Sequence, residues 1–381
     1  MTIPLFKIYW KEEDIKAIEK VIRSGKYWAT GPQIEKFEKK IANYLGVKYC
    51  LVFNSGGSAL FALIHSYGFK KGDEIIVPSF TFIATAYTPL YVGAKPIFAD
   101  IEEGTFGLDP EDVERKITSR TKAIIPIHYG GMPCQIEELR KIARNHNLIL
   151  IEDAAESFGA KLKGKYVGTF GDSAILSFCQ NKIFTTGEGG AIVTNNGKIY
   201  EKAKLIRSYG REMKGNYFEE TKGIDYVSLG YNLRMPTMLA VLGASQLKRV
   251  NWIIKKRREK AKYLTRELAE IDKIATFQEP KDSFAVYQMY TIRVLEGEKT
   301  RNKLMRYLKD KGISTKIFFD PVHKYTIFKK LGYKNISLPK TEKLSSQVLS
   351  LPFYPEITYQ ELDYVARAIR KFFKYLDVRH P

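Results

Sequence analysis

From Tyr49 to about Asn195, short apolar runs rich in Ile and Val alternate with stretches of helical spacing, and this alternation restricts the fold more than any other feature of the chain. "YCLVFN" (49–54), "EIIVPS", "KPIFADI", "AIIPIHY", "LILIEDAA" and "SAILSF" read as buried strands, and "GEGGAIVTN" leads into another. "GGSALFALIHSYG" and "CQIEELRKIARNHN" read as helices, the second with Ile136, Leu139 and Ile142 on one face. Strands joined through helices argue for a largely parallel α/β sheet.

Near residue 245 the pattern changes. "SQLKRVNWIIKKRREKAKYLTRELAEI" reads as one long connecting helix, followed by the alternating segments "FAVYQMYTIRV" and "GISTKIFF" and a C-terminal helix, "YQELDYVARAIRKFFKYL". A chain of 381 residues has room for two domains. The expectation is a large α/β domain with an N-terminal arm over 1–244, and the connecting helix with a smaller α+β domain over 245–381.

Composition excludes several classes. Three scattered cysteines and no CxxC pair give neither a disulfide framework nor a zinc site, which fits a reducing, cytoplasmic compartment. The opening "MTIPLFKIYWKEEDIK" lacks the apolar core and cleavage site of a signal peptide. Residues 75–94 run without a charge for about the length of a membrane span, but Pro78, Pro89 and Gly93 read better as strand, loop and buried helix. The net charge of +20 admits a nucleic acid, a membrane surface or an anionic substrate. Its lysines are spread along the chain, often beside glutamates, and no helix-turn-helix, aromatic RNA-binding motif or basic tail accompanies them. A basic cofactor- or nucleic-acid-binding regulator is therefore the lesser reading, and no membrane or nucleic-acid partner is expected.

Three constellations carry chemistry. In "NSGGSAL" (54–60) a strand ends, glycines turn the chain and a helix starts, which makes either a phosphate cradle or a common cap. In "LILIEDAAESFG" (148–159), Glu152 and Asp153 leave an apolar strand at its carboxyl edge, where ligands of open α/β sheets sit. A carboxylate there needs a cation; a metal lacks further ligands at suitable spacing, and a protonated ring nitrogen is the other candidate. In "SFCQNKIFTTGEGG" (177–190), Lys182 stands in a turn between Ser177 and three glycines, either as surface charge or as a reactive amine in a dry pocket. Phosphate cradle, aspartate and lysine in this order are what pyridoxal phosphate requires.

With these residues assembled, the chain resembles the nucleotide-sugar aminotransferase family (the DegT/DnrJ/StrS type) within the fold-type I pyridoxal-phosphate enzymes. The motifs are "NSGGSAL", "VPSFTFIATA", "IEDAAESFGA", "SFCQNKIFTTGEGGAIVTNN" and "GYNLRM" (230–235), and the likeness covers nearly the whole chain. It implies a mostly parallel seven-stranded sheet in the large domain and a homodimer with shared active sites. It makes Lys182 the Schiff-base lysine and proton shuttle, and Asp153 the partner of the pyridinium nitrogen. Phe82 would lie against the cofactor ring. Gly57, Ser58 and Ser177 would hold its phosphate, with Asn232 reaching the phosphate of the partner subunit. His323 and Arg234 are candidate substrate contacts.

Two departures stand out: Gly57 where the family often has threonine, and Glu156 where many members have glutamine or histidine near the cofactor's phenolic oxygen. Repulsion there predicts that Glu156 is protonated or displaced. The implied reaction is ping-pong transfer of an amino group from L-glutamate to a keto-sugar nucleotide. Segments such as "KLKGKYVGTFGD" resemble GDP-perosamine synthases, favouring a GDP- or UDP-linked 4-keto-6-deoxyhexose over a 3-keto sugar or a cyclitol.

Overall fold

The computed structural model describes residues 2–212 and 224–379. Seven segments form one sheet: β1 (Tyr49–Phe53), β2 (Glu74–Pro78), β3 (Lys95–Ala99), β4 (Thr121–Ile124), β5 (Ile149–Asp153), β6 (Ser173–Ser177) and β7 (Gly190–Thr194). Their spatial order is β1-β7-β6-β5-β4-β2-β3. The inner pairs are parallel, and only β7 runs antiparallel to both neighbours, β1 and β6. This is the seven-stranded, mostly parallel sheet that the strand–helix alternation and the family resemblance imply. Its strands are buried on both sides, which explains why they read as continuous apolar runs.

Helix α1 (Glu12–Arg23) and α2 (Pro32–Leu45) precede β1. The chain then enters α3 (Gly56–Tyr67) directly from β1, and α4 (Ile83–Tyr91) soon after β2. The charge-free run 75–94 thus resolves into β2, a short loop and α4. Among the described residues no helix is long and apolar enough to cross a membrane.

The C-terminal part differs from its sequence reading in three places. The expected single connecting helix is two, Thr237–Leu247 and Val250–Leu268. Arg249 leaves helical geometry at the junction (φ −107°, ψ 2°), and its guanidinium pairs with Asp14 of α1 at 2.6 Å. "FAVYQMYTIRV" is interrupted, with strands only at Ser283–Phe284 and Tyr290–Val294. "GISTKIFF" makes isolated bridges from Ile313 and Lys316 rather than a strand. The small sheet is completed by Ile274–Thr276 and Val348–Leu351 on either side of Tyr290–Val294.

Two connections cross between the parts. Ile3 bridges to Ile313 and lies in the C-terminal core with Leu304, Leu349 and Ile369. In the other direction, Val322, Phe328 and Leu338 pack into the cluster that covers the sheet.

Candidate active site

The carboxyl edge of the sheet collects the chemistry. β5 ends at Asp153 and β6 at Ser177, on adjacent parallel strands. β1 runs straight into α3. Because β7 is antiparallel, its first residue, Gly190, returns to the same edge opposite Ser177 and Phe53. Close approach here demands glycine: a Cβ on Gly190 would lie 2.5 Å from Gly56 Cα, and one on Gly56 would lie 3.0 Å from Ser177 Cβ. Gly57 differs, since a Cβ there meets only Ser55 Oγ, at 3.9 Å.

Ser55 caps α3, its Oγ accepting from Ser58 N–H at 3.0 Å, and the first turn of the helix presents further N–H groups beside Ser177. An open depression of about 450 Å³ borders this turn, lined by Ser55, Gly57, Ser58, Thr88 and Leu233. An anion is favoured at such a helix start.

Asp153 is 5% exposed and has no cationic partner within ion-pair distance among the described residues. Its Oδ2 accepts from Thr85 Oγ1 at 2.8 Å and its Oδ1 from Ala155 N–H at 3.1 Å. Thr85 in turn accepts from Thr81 Oγ1 at 2.9 Å, so a short polar relay from α4 fixes the carboxylate. Burial pushes the Asp153 carboxyl above its ordinary 3.8, and those two donors offset the effect only in part. A protonated ring nitrogen would supply the missing charge. Thr85 was legible only as one of a pair of threonines four apart.

Lys182 lies in a turn closed on itself: its N–H donates to Cys179 O (2.9 Å), Phe178 N–H to Gly189 O (2.8 Å) and Thr186 N–H to Phe178 O (3.0 Å). Its Nζ meets Glu156 Oε1 at 3.4 Å, both side chains being largely buried. Glu156 Oε2 accepts from Gly130 N–H at 2.9 Å. Glu156 points inward, its carboxyl set between the Lys182 amine and the Gly130 N–H.

The remaining candidates are distributed differently. Phe82, at the start of α4, is 61% exposed and ranges its ring toward Phe319, at 6.5 Å. Asn232 is exposed and forms a backbone bridge with Ser208. Arg234 lines a cavity of about 1140 Å³ along α2 and the β1 edge, whose lining includes none of Lys182, Asp153 or Glu156. Its Nη1 is buried without a hydrogen-bond partner among the described residues. His323 is turned inward: its Nδ1 shares a hydrogen bond with Ser79 Oγ at 2.7 Å, and Ser79 Oγ accepts from the His323 backbone N–H at 3.1 Å. Glu152 faces away from Asp153, as alternation along a strand requires. Its carboxylate accepts from Gly168, Phe170 and Gly171 N–H and from His128 Nε2. No group of His, Cys, Asp and Glu among the described residues could hold a metal ion.

An N–H cradle, an uncompensated buried carboxylate and a buried amine together fit pyridoxal phosphate in phosphate, ring nitrogen and aldehyde. Comparison with known proteins agrees. The chain is 34% identical to GDP-perosamine synthase of Escherichia coli O157:H7, over 97% of this chain and 98% of that one. Its structure matches PseC of Helicobacter pylori, an aminotransferase of pseudaminic acid biosynthesis (printed "pseudoaminic acid"), with a TM-score of 0.93 at 29% identity, covering 98% and 100% of the two chains. It also matches the PMP form of Spr1654, a putative sugar aminotransferase of Streptococcus pneumoniae, with a TM-score of 0.92 at 25% identity and full coverage of both chains (100% each). Residues 9–370 match the model of the DegT/DnrJ/EryC1/StrS aminotransferase family, and the chain belongs to that family.

Proposed function

We propose that this pyridoxal-phosphate-dependent sugar aminotransferase moves the amino group of L-glutamate to a keto-sugar nucleotide, with a GDP- or UDP-linked 4-keto-6-deoxyhexose as the preferred acceptor. The observation that carries the reading is the convergence, at one sheet edge, of Asp153 without a cation and Lys182 beside Glu156. The cofactor, when bound, contributes an aldehyde for an amine and a ring that delocalises negative charge. The Gly57 N–H and the Ser177 hydroxyl would hold its phosphate, the Ser58 N–H joining them by exchanging Ser55 Oγ for a phosphate oxygen. Asp153, fixed by Thr85, holds a proton on the ring nitrogen. Lys182 Nζ would hold the aldehyde carbon covalently, with loss of water, and within each half-reaction the freed amine would move a proton at the substrate carbon. Phe82 covers the ring.

The enzyme acts as a cytoplasmic homodimer in which Asn232 completes the neighbouring subunit's phosphate site. Exposed Phe82, Tyr91 and Tyr231 support a covered face on this side. The positive surplus suits an acceptor bearing a diphosphate. Loops decide the sugar. The test is 2-oxoglutarate release from L-glutamate against a panel of keto-sugar nucleotides. Turnover with a 4-keto-6-deoxyhexose supports the reading. Turnover only with a 3-keto sugar or a cyclitol ketone replaces the acceptor, and no turnover with glutamate replaces the donor.

A further inference from the structure

The crossing Val286–Met289, between the strands Ser283–Phe284 and Tyr290–Val294, spends its polar groups on the lysine site rather than on its own sheet. Val286 N–H donates to Gly131 O (3.0 Å) and Met289 N–H to Gly130 O (3.4 Å). Gly131 permits this contact, since a Cβ there would lie 2.7 Å from Val286 Cγ2 and 2.9 Å from Gln288 N. Gly130 N–H is the donor that fixes Glu156, whose other oxygen meets Lys182. One side of the lysine is thus braced by this crossing.

The other side is braced by a side chain. Gln288 is 3% exposed, and its Nε2 donates to Asn181 O at 2.6 Å, the carbonyl immediately before Lys182. Its Oε1 is buried with no hydrogen-bond partner among the described residues, so the amide carries a desolvation cost here. Beneath it stands Arg257, in the middle of the helix Val250–Leu268 and 3% exposed. Its Nη1 donates to Tyr287 O (3.1 Å), Gln288 O (3.2 Å) and Phe353 O (3.5 Å). No ion pair among the described residues involves it, and burial pushes its guanidinium down to about 10. A buried cation held by carbonyls and an aromatic face, with no carboxylate, is an expensive fastener. Here it fastens the segment that touches the lysine turn.

We propose that Gln288, seated by Arg257, is a positioning residue for Lys182: it clamps the Asn181 carbonyl, while the same crossing sets Glu156 through Gly130. The inference rests on the reading of Lys182 as the reactive amine. It makes the aim of that amine depend on the seating of the C-terminal unit.

The test uses full-length Gln288→Met, which keeps the side-chain length without the donor, and Gln288→Asn, which is too short to reach. A control, Thr265→Val, removes a buried-side hydrogen bond to Tyr290 of the same unit, away from the lysine. Two rates are read on each protein. One is acetylation of Lys182 in the cofactor-free protein, resolved by peptide mass spectrometry across pH. The other is capture of added pyridoxal phosphate, followed by visible absorbance. The clamp predicts that both Gln288 variants acetylate Lys182 faster and capture the cofactor roughly tenfold more slowly or worse, with Thr265→Val unchanged in both. Wild-type rates in a folded Gln288 variant overturn it, as do equal changes in the Thr265 control. If wild type never captures the cofactor, the reading of Lys182 falls, and the acetylation rates still decide whether Gln288 holds the turn.

Discussion

Asp153 shows how one carboxylate links stability to chemistry. Its folded pKa is raised by burial, so the protonated form is the one the cofactor-free fold favours. The stability it contributes is complete below its ordinary 3.8 and is lost as pH rises through the folded value, leaving the ionised group a burden at neutral pH. Asp153→Asn keeps the Thr85 contact and removes that burden. Differential scanning calorimetry should therefore find the cofactor-free variant more stable, by about 2 °C, while kcat falls roughly 100-fold. Gly57 makes the opposite case, a position with room to gain. A threonine side chain enters open space and adds a hydroxyl beside the α3 turn. Gly57→Thr should bind pyridoxal phosphate about tenfold more tightly by equilibrium dialysis. Lys182 and Asp153 were legible because their chemistry has few other uses at a sheet edge. Thr85 was not, because a threonine in an apolar helix has many, and the partners of Glu156 are 26 residues away in either direction, at Gly130 and Lys182.

Most strands of the central sheet were legible to within a residue or two, since buried parallel strands leave continuous apolar runs between helices; β4 was not, because its apolar run continues through Ile125 and Ile127 after the strand ends at Ile124. The junction at Arg249 was not, because neither proline nor glycine marks it, and its cause is an ion pair with Asp14, 235 positions earlier. The crossing Val286–Met289 alternates like a strand, yet its Val286 and Met289 N–H groups answer to Gly131 and Gly130. The short helical segment Val322–Lys324 was read as a possible substrate contact through His323, and it fastens the C-terminal unit to the loop after β2. That fastening has a pH signature. Burial depresses His323 below 6.5, outweighing Glu342, which faces it at 3.5 Å, with Lys324 opposing the charge and Asp100 favouring it. A neutral His323 thus contributes stability above 6.5 that is lost as pH falls through its folded value. Thermal melts should show wild type losing more stability than His323→Gln between about pH 7.5 and about pH 5.5; equal losses would remove His323 from the account.

For the whole molecule, the position of Asn232 carries the consequence. It is exposed, and its neighbour Leu233 lines the depression beside the α3 turn. If it serves the neighbouring subunit, Lys182→Ala and Asn232→Ala chains are each inactive alone but form hybrid dimers with one intact site. Mixing them under exchange should restore roughly a quarter of wild-type activity, measured as 2-oxoglutarate release; no recovery in a mixture shown by mass spectrometry to contain hybrids would make each site self-contained. All of this depends on Lys182 and Asp153 forming one cofactor site. The most direct measurement is the visible spectrum of purified wild type and Lys182→Ala with pyridoxal phosphate, before and after L-glutamate. The account predicts a yellow band in wild type that bleaches on adding glutamate, and no lysine-linked band in the variant. A wild-type spectrum indistinguishable from free cofactor, or a band that survives the loss of Lys182, would contradict it.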